Sequence, residues 1–92
     1  MQINTNNVPV AQNGVAYRIY DNRVVIVHPT DNTIITLNST ASALWAAMNG
    51  RNSVQQIAAD LLVRFEVEEE CLLNDALLFF KNMKDRGLVV VR

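Results

Sequence analysis

A single cysteine, Cys71, excludes an internal disulfide and a cysteine-based metal cage. Its isolation fits a reducing compartment, and the expected location is the cytoplasm. The single histidine, His28, has no partner that spacing identifies, and at a strand end it reads as a structural or solvated group. There is no Gly-rich phosphate loop, no metal-ligand cluster and no nucleophile motif. No enzyme, metal or cofactor is therefore expected of this chain alone. The opening residues MQINTNNVPVAQNG carry neither a basic start nor an apolar block, so no signal peptide is expected. No stretch approaches the ~20 apolar residues of a membrane span, and a membrane is not an expected partner. Positive charge is not in excess either. The formal net charge is -1, against a phosphate-binding surface spread over the molecule.

What is present is apolar and periodic. Half of the 92 residues are hydrophobic, which fits one small domain. A chain of this length buries roughly 60–65% of its unfolded surface, enough for a real but marginal core. The most informative stretch is TIITLNSTASALWAAMNG, Thr33 to Gly50. Thr33 to Leu37 alternates as a strand, with Ile35 and Leu37 on one face and Ile34 and Thr36 on the other. Asn38 or Ser39 then caps a helix over about Thr40 to Asn49. Ala41, Leu44, Trp45 and Met48 share one helical face, and Gly50 stands where a left-handed cap is expected.

Residues 1–13, polar and Asn-rich, read as a flexible arm with Val8 to Val10 laid on the body. The domain proper is then 14–92. Val15 to Tyr20 reads as a strand, Asp21-Asn22 as a two-residue hairpin turn, and Arg23 to His28 as a second strand. The run Val24 to Val27 suggests burial of that strand on both faces. With Thr33 to Leu37 added, the simplest sheet is a meander whose outer strands are the first and third. Ser53-x-x-Gln56 is a capping-box pattern opening a second helix, with Val54, Ile57, Ala58, Leu61, Leu62 and Phe65 at helical spacing. A third helix begins near Glu69, with acids where the helix dipole favours them, and ends at Gly87. Leu88 to Val91 is a candidate terminal strand. The fold class is α+β and winged-helix-like: a three-stranded antiparallel sheet followed by a three-helix bundle.

The third helix carries more apolar surface than one core needs. Phe79, Leu72, Met83, Ala76, Phe80, Leu73 and Leu77 cover an arc of roughly 160°, where about 100° suffices. One reading is that the excess along Leu73, Leu77 and Phe80 covers the sheet as well as the other helices. The other is an apolar groove between this helix and the Thr33–Leu37 strand, open to a peptide. Leu78, among Asn74, Lys81, Asn82 and Lys84, reads as an ordinary exposed leucine.

Three segments, LNSTASALWAAMNG, SVQQIAADLLVRF and NDALLFFKNMKDRGL, together resemble the coenzyme pyrroloquinoline quinone synthesis protein D family. The matching residues are Leu37, Asn38, Thr40, Ala41, Trp45, Gly50, Ser53, Val54, Ile57, Ala58, Leu61, Asp75, Phe79, Gly87 and Leu88. The resemblance spans Val15 to Val90. This chain has Asn49-Gly50 where the family often has Asp-Gly, Pro29-Thr30 where it often has Pro-Glu, and Ala76 where it has Val. The resemblance implies a peptide-recognition module, also called a RiPP recognition element. Such a module binds the leader of a ribosomally made precursor peptide and presents it to a modifying enzyme, often a radical S-adenosylmethionine protein. The leader pairs as an extra antiparallel strand and packs against the third helix. Carried over, the strand edge is Thr33, Ile34, Ile35, Thr36 and Leu37. The helix face is Leu73, Leu77 and Phe80, with Lys81 and Lys84 beside it.

Two other classes compete. A winged-helix DNA binder needs basic residues on its recognition helix. The third helix instead opens on Glu68, Glu69 and Glu70, and its Lys81, Lys84 and Arg86 come only at the end, so no nucleic acid is expected. A homodimer joined through the same edge and groove is the other alternative. Leu88 to Val91 is also a candidate to cover that edge from within the molecule.

Overall fold

A computed structural model describes residues 3–92; Met1 and Gln2, part of the expected arm, lie outside the described residues. In chain order the elements are β1 (Pro9–Ala11), β2 (Ala16–Tyr20), β3 (Arg23–Val27), β4 (Ile34–Thr36), α1 (Ser39–Ala46), α2 (Val54–Leu61), α3 (Glu69–Asp85) and β5 (Val89–Val91). The class is α+β, as the periodicity indicates. β2, β3 and β4 form an antiparallel meander with β3 in the centre. The hairpin turn between β2 and β3 is Asp21-Asn22, both at positive φ (54° and 64°). That is the pairing a two-residue turn requires, because its twist matches that of the strands.

The caps follow the sequence closely. Asn38, not Ser39, caps α1, its Oδ1 accepting the Ala41 N–H at 2.8 Å. Ser53 and Gln56 form the full reciprocal box at α2. After α3 the N–H of Leu88 donates to the Met83 carbonyl at 2.9 Å and that of Gly87 to the Lys84 carbonyl at 3.0 Å. This double bond pattern needs a left-handed residue, and Gly87 supplies it at φ 76°. Leu88 is thereby driven into the core.

Two expectations change. β3 is buried on one face only: Val24 and Ile26 are in the core, Val25 is half-buried and Val27 is exposed. Its apolar run reflects a sheet whose outer face, with Ile34 and Tyr20, is open. The expected loose arm is also built in over its described part. β1 pairs antiparallel with β5, Pro9 opposite Val91 and Ala11 opposite Val89. Val8 and Arg92 exchange backbone bonds of 3.0 and 2.9 Å, and the Asn7 and Thr5 carbonyls accept the Val54 and Gln55 N–H groups. The arm thus satisfies backbone donors at the start of α2 that helix geometry leaves open. A polar composition alone hides this, because the bonds are made by backbone.

The core lies between the inner face of β3 and β4 and the three helices. Its fully buried centre includes Ile26, Leu44, Ile57, Leu72, Phe80 and Leu88. Trp45 is buried too, its ring edge-on to Tyr17 at 5.5 Å. One buried polar group, Ser42, joins helix to sheet. Its Oγ accepts the Val24 N–H at 2.9 Å and donates to the Leu37 carbonyl at 3.2 Å. The hydroxyl bridges a backbone donor of β3 and a backbone acceptor just after β4, so α1 is fixed against both strands at once.

Candidate peptide-docking edge

β4 is an edge strand. Its inner side pairs with β3, Ile35 opposite Ile26, and among the described residues nothing pairs with its outer side. The terminal strand β5 does not cover it, being held by β1. The register also settles which backbone groups are free. The His28 N–H donates to the Thr33 carbonyl at 2.8 Å, and the Leu37 N–H to the Val24 carbonyl at 2.9 Å. Bonding alternates along an antiparallel ladder, so Ile35, midway between Thr33 and Leu37, also bonds inward. Ile34 and Thr36 therefore turn their N–H and C=O groups outward.

Side chains alternate in the complementary sense. Ile34 and Thr36 are exposed on the outer sheet face, Ile34 at 67%, whereas Ile35 is half-buried toward α3 and Leu37 is core. Between β4 and α3 lies a cleft of about 470 Å³. Its strand wall is Ile35 and Leu37; its helix wall is Phe79, Asn82, Met83, Asp85 and Arg86. A second cleft of about 340 Å³, sharing Phe79 and Asn82 with the first, extends toward the start of α1. There Asn38, Thr40 and Asp75 give a polar lining beside Ala41 and Leu44.

The helix side of the expected site needs correction. Phe80 is not a groove residue: it is completely buried, on the stripe Leu72, Ala76, Phe80 and Met83 that points into the core. Leu73 and Leu77 are half-buried on the flank of that stripe away from β4, and Leu77 lies with Lys81 beside Ile3. Lys81 is engaged by Asp85, Nζ to Oδ2 at 3.0 Å, on the exposed side of the helix. Lys84 shares the Leu77 flank. The opposite flank, with Phe79, faces the strand. The sequence carries the signal for this flank, since Asp75, Phe79, Asn82 and Arg86 recur at helical spacing. Periodicity does not say which side of a buried stripe meets the sheet; tertiary packing decides that.

His28 fixes the width of the cleft at one end. Its Nε2 lies 2.8 Å from the Arg86 carbonyl, which only accepts, so Nε2 carries the proton. Nδ1 then accepts the Thr30 N–H at 3.2 Å. The imidazole thus joins the β3–β4 turn to the last carbonyls of α3. Asp31, next in that turn, has its pKa lowered, first by the Thr33 backbone N–H that its carboxylate accepts and then by the Thr33 side chain, with His28 adding a smaller charge effect. Among the described residues no group of three or more His, Cys, Asp and Glu side chains is placed to hold a metal ion. No helix among them is long and apolar enough to cross a membrane.

Comparison with known proteins agrees with this geometry. The family model described as Coenzyme PQQ synthesis protein D (PqqD) matches residues 23–89. No curated protein sequence matches the chain. Three solved structures share the fold. TbiB1, solved in complex with the TbiA(beta) leader peptide, is 18% identical at TM-score 0.78, over 86% of this chain and 92% of its own. Lasso peptide synthetase B1, complexed with the leader peptide, is 18% identical at TM-score 0.79, over 89% and 96%. The PqqD truncation of Methylobacterium extorquens PqqCD, described as a stand-alone RiPP recognition element, is 22% identical at TM-score 0.79, over 96% and 94%.

Proposed function

Because the chain belongs to the Coenzyme PQQ synthesis protein D family, we propose that it is a leader-binding module without catalysis of its own. It takes the leader of a ribosomally synthesised precursor peptide as a fourth strand on β4 and presents it to a modifying enzyme. Leader peptides in two structural relatives and the stand-alone recognition element in the third support this reading. The observation that carries it is the open outer side of β4 running along the Phe79 flank of α3. The outward groups of Ile34 and Thr36 supply the backbone bonds, and the cleft over Ile35, Phe79 and Met83 takes an apolar side chain. A radical S-adenosylmethionine protein is the partner enzyme that the family likeness suggests. Quinone biosynthesis is one candidate among several peptide-product pathways.

The energetics are modest. A few added backbone bonds, each worth roughly 1 kcal/mol net, together with one or two apolar anchors, give dissociation constants around micromolar. Titration of a candidate leader peptide should release or absorb heat in that range. It should also shift the amide resonances of Ile34, Thr36 and the Phe79 flank. Absence of both heat and shifts at roughly 100 μM protein rejects the proposal. Loss of self-association on adding leader would instead show that the edge joins two copies in the free protein.

A further inference from the structure

We infer that the cleft reads the order of charges in its guest as well as its shape. On its helix-facing side the guest strand carries a basic residue, then an apolar one, then an acidic one, at positions i, i+2 and i+4 counted from its N-terminus. This rests on the strand-addition reading above. Asp75, Phe79, Asn82 and Arg86 follow one another at intervals of four, three and four residues, which places them in one row along α3. Asp75 lines the end of the cleft near Asn38 and Thr40, and Arg86 lines the end beside Ile35. Phe79 and Asn82 border both parts. The row therefore begins with a carboxylate, passes an aromatic floor and ends with a guanidinium.

Both charges are exposed, and neither is engaged by another described side chain. The neighbouring acids at the Arg86 end are already occupied. Asp85 holds Lys81 at 3.0 Å, and the Asp31 Oδ1 accepts the Thr33 N–H at 3.0 Å. His28 at that end is engaged by the Arg86 carbonyl and the Thr30 N–H. The distances suit a short strand. Eleven residues of helix rise about 16 Å, and four residues of strand about 13 Å, a difference that long charged side chains span. Direction follows from the sheet. Every pair in it is antiparallel, so a continuing fourth strand runs from the Asn38 end of β4 toward Thr33. Its N-terminal part meets Asp75 and its C-terminal part meets Arg86.

Each exposed pair is worth about two- to fivefold in affinity, so a matched peptide should bind roughly tenfold more tightly than its uncharged counterpart. At 1 M salt, where screening acts over about 3 Å, the difference should vanish. The test is selection from a displayed random peptide library against three proteins: the native chain, the Asp75→Lys/Arg86→Glu double variant, and the Asp75→Asn/Arg86→Gln variant. The native chain should enrich the basic–apolar–acidic order, the reversed variant the opposite order, and the neutral variant the apolar residue alone. Peptides enriched without a charge order, or with one unchanged in the reversed variant, overturn the charge reading and leave strand addition standing. The acidic–apolar–basic order on the native chain overturns the stated direction. If selected peptides bind the native chain and a folded Thr36→Pro variant equally, they do not use the edge. In that case, or if none is enriched, strand addition and charge order fall together.

Discussion

Proline at Thr36 should leave the sheet standing and remove the guest. The Thr36 N–H points away from β3, so its loss costs no ladder bond, and the exposed side chain contributes little packing. The residue before it, Ile35, is already extended, as a residue preceding proline prefers. The expected loss of stability is about 1 kcal/mol or less, a drop of about 4–8 °C in melting temperature at most for a domain of this size. The guest, however, loses one N–H···O bond, worth about 1 kcal/mol or roughly fivefold in affinity, and meets a ring where the donor stood. A loss of tenfold or more is expected. Ile35→Pro is the control. Its N–H bonds inward toward Ile26, which is completely buried, and its side chain packs against the core. Losing both should cost roughly 2–4 kcal/mol, a large part of the stability of a small domain. Thermal melts paired with leader titrations of the two variants decide the matter. A Thr36→Pro protein that melts normally and binds normally refutes strand addition on β4. Unfolding of Thr36→Pro with tolerance of Ile35→Pro refutes the register.

Phe80→Ala should destabilise by about 3–5 kcal/mol as a core truncation, whereas Phe79→Ala should melt nearly as the native chain and bind leader at least tenfold more weakly, both read by melting and titration. Leu77→Asp, on the far flank, should lower stability without changing leader affinity; weakened binding in a folded Leu77→Asp protein would return the site to that flank. Ser42→Ala strands the Val24 N–H in the core and should cost about 1–3 kcal/mol in denaturant unfolding, more than Ser53→Ala, where loss of the cap costs about 1 kcal/mol. Asp31 and Asp85 both have lowered pKa values, Asp31 chiefly through the Thr33 backbone bond and Asp85 through its bond to Lys81. A depressed folded-state pKa contributes stability above the unfolded-state value that is lost as pH falls through the folded one, so melting temperature should decline from about pH 5 downward. Asp31→Asn should flatten part of that decline, and an unchanged acid limb would remove Asp31 from the account.

The sequence made the local pieces legible because their causes are local. Asn38 and Ser53 at helix starts, Asp21-Asn22 at the hairpin and Gly87 after α3 each answer to their own few neighbours. The strand edge was legible too, since a three-strand meander leaves its last strand outside. Two things were not. The pairing of Pro9–Ala11 with Val89–Val91 joins opposite ends of the chain through backbone alone, so no side-chain period announces it. The flank of α3 that meets β4 depends on how the helix is rolled against the sheet. Leu73 and Leu77 are the more apolar flank, yet Phe79, Asn82 and Arg86 border the strand, with Asp75 at the start of α1.

The clasp of β1 on β5 bears on how fast the edge is filled. An edge guarded by a strand of its own chain is available only in the fraction of molecules where that strand has swung away, and apparent affinity falls by that fraction. Here the terminal strand is committed elsewhere, so the receptive conformation is the resting one. Encounter should then be a simple second-order event. The observed relaxation rate should rise linearly with leader concentration, with no plateau set by an opening step.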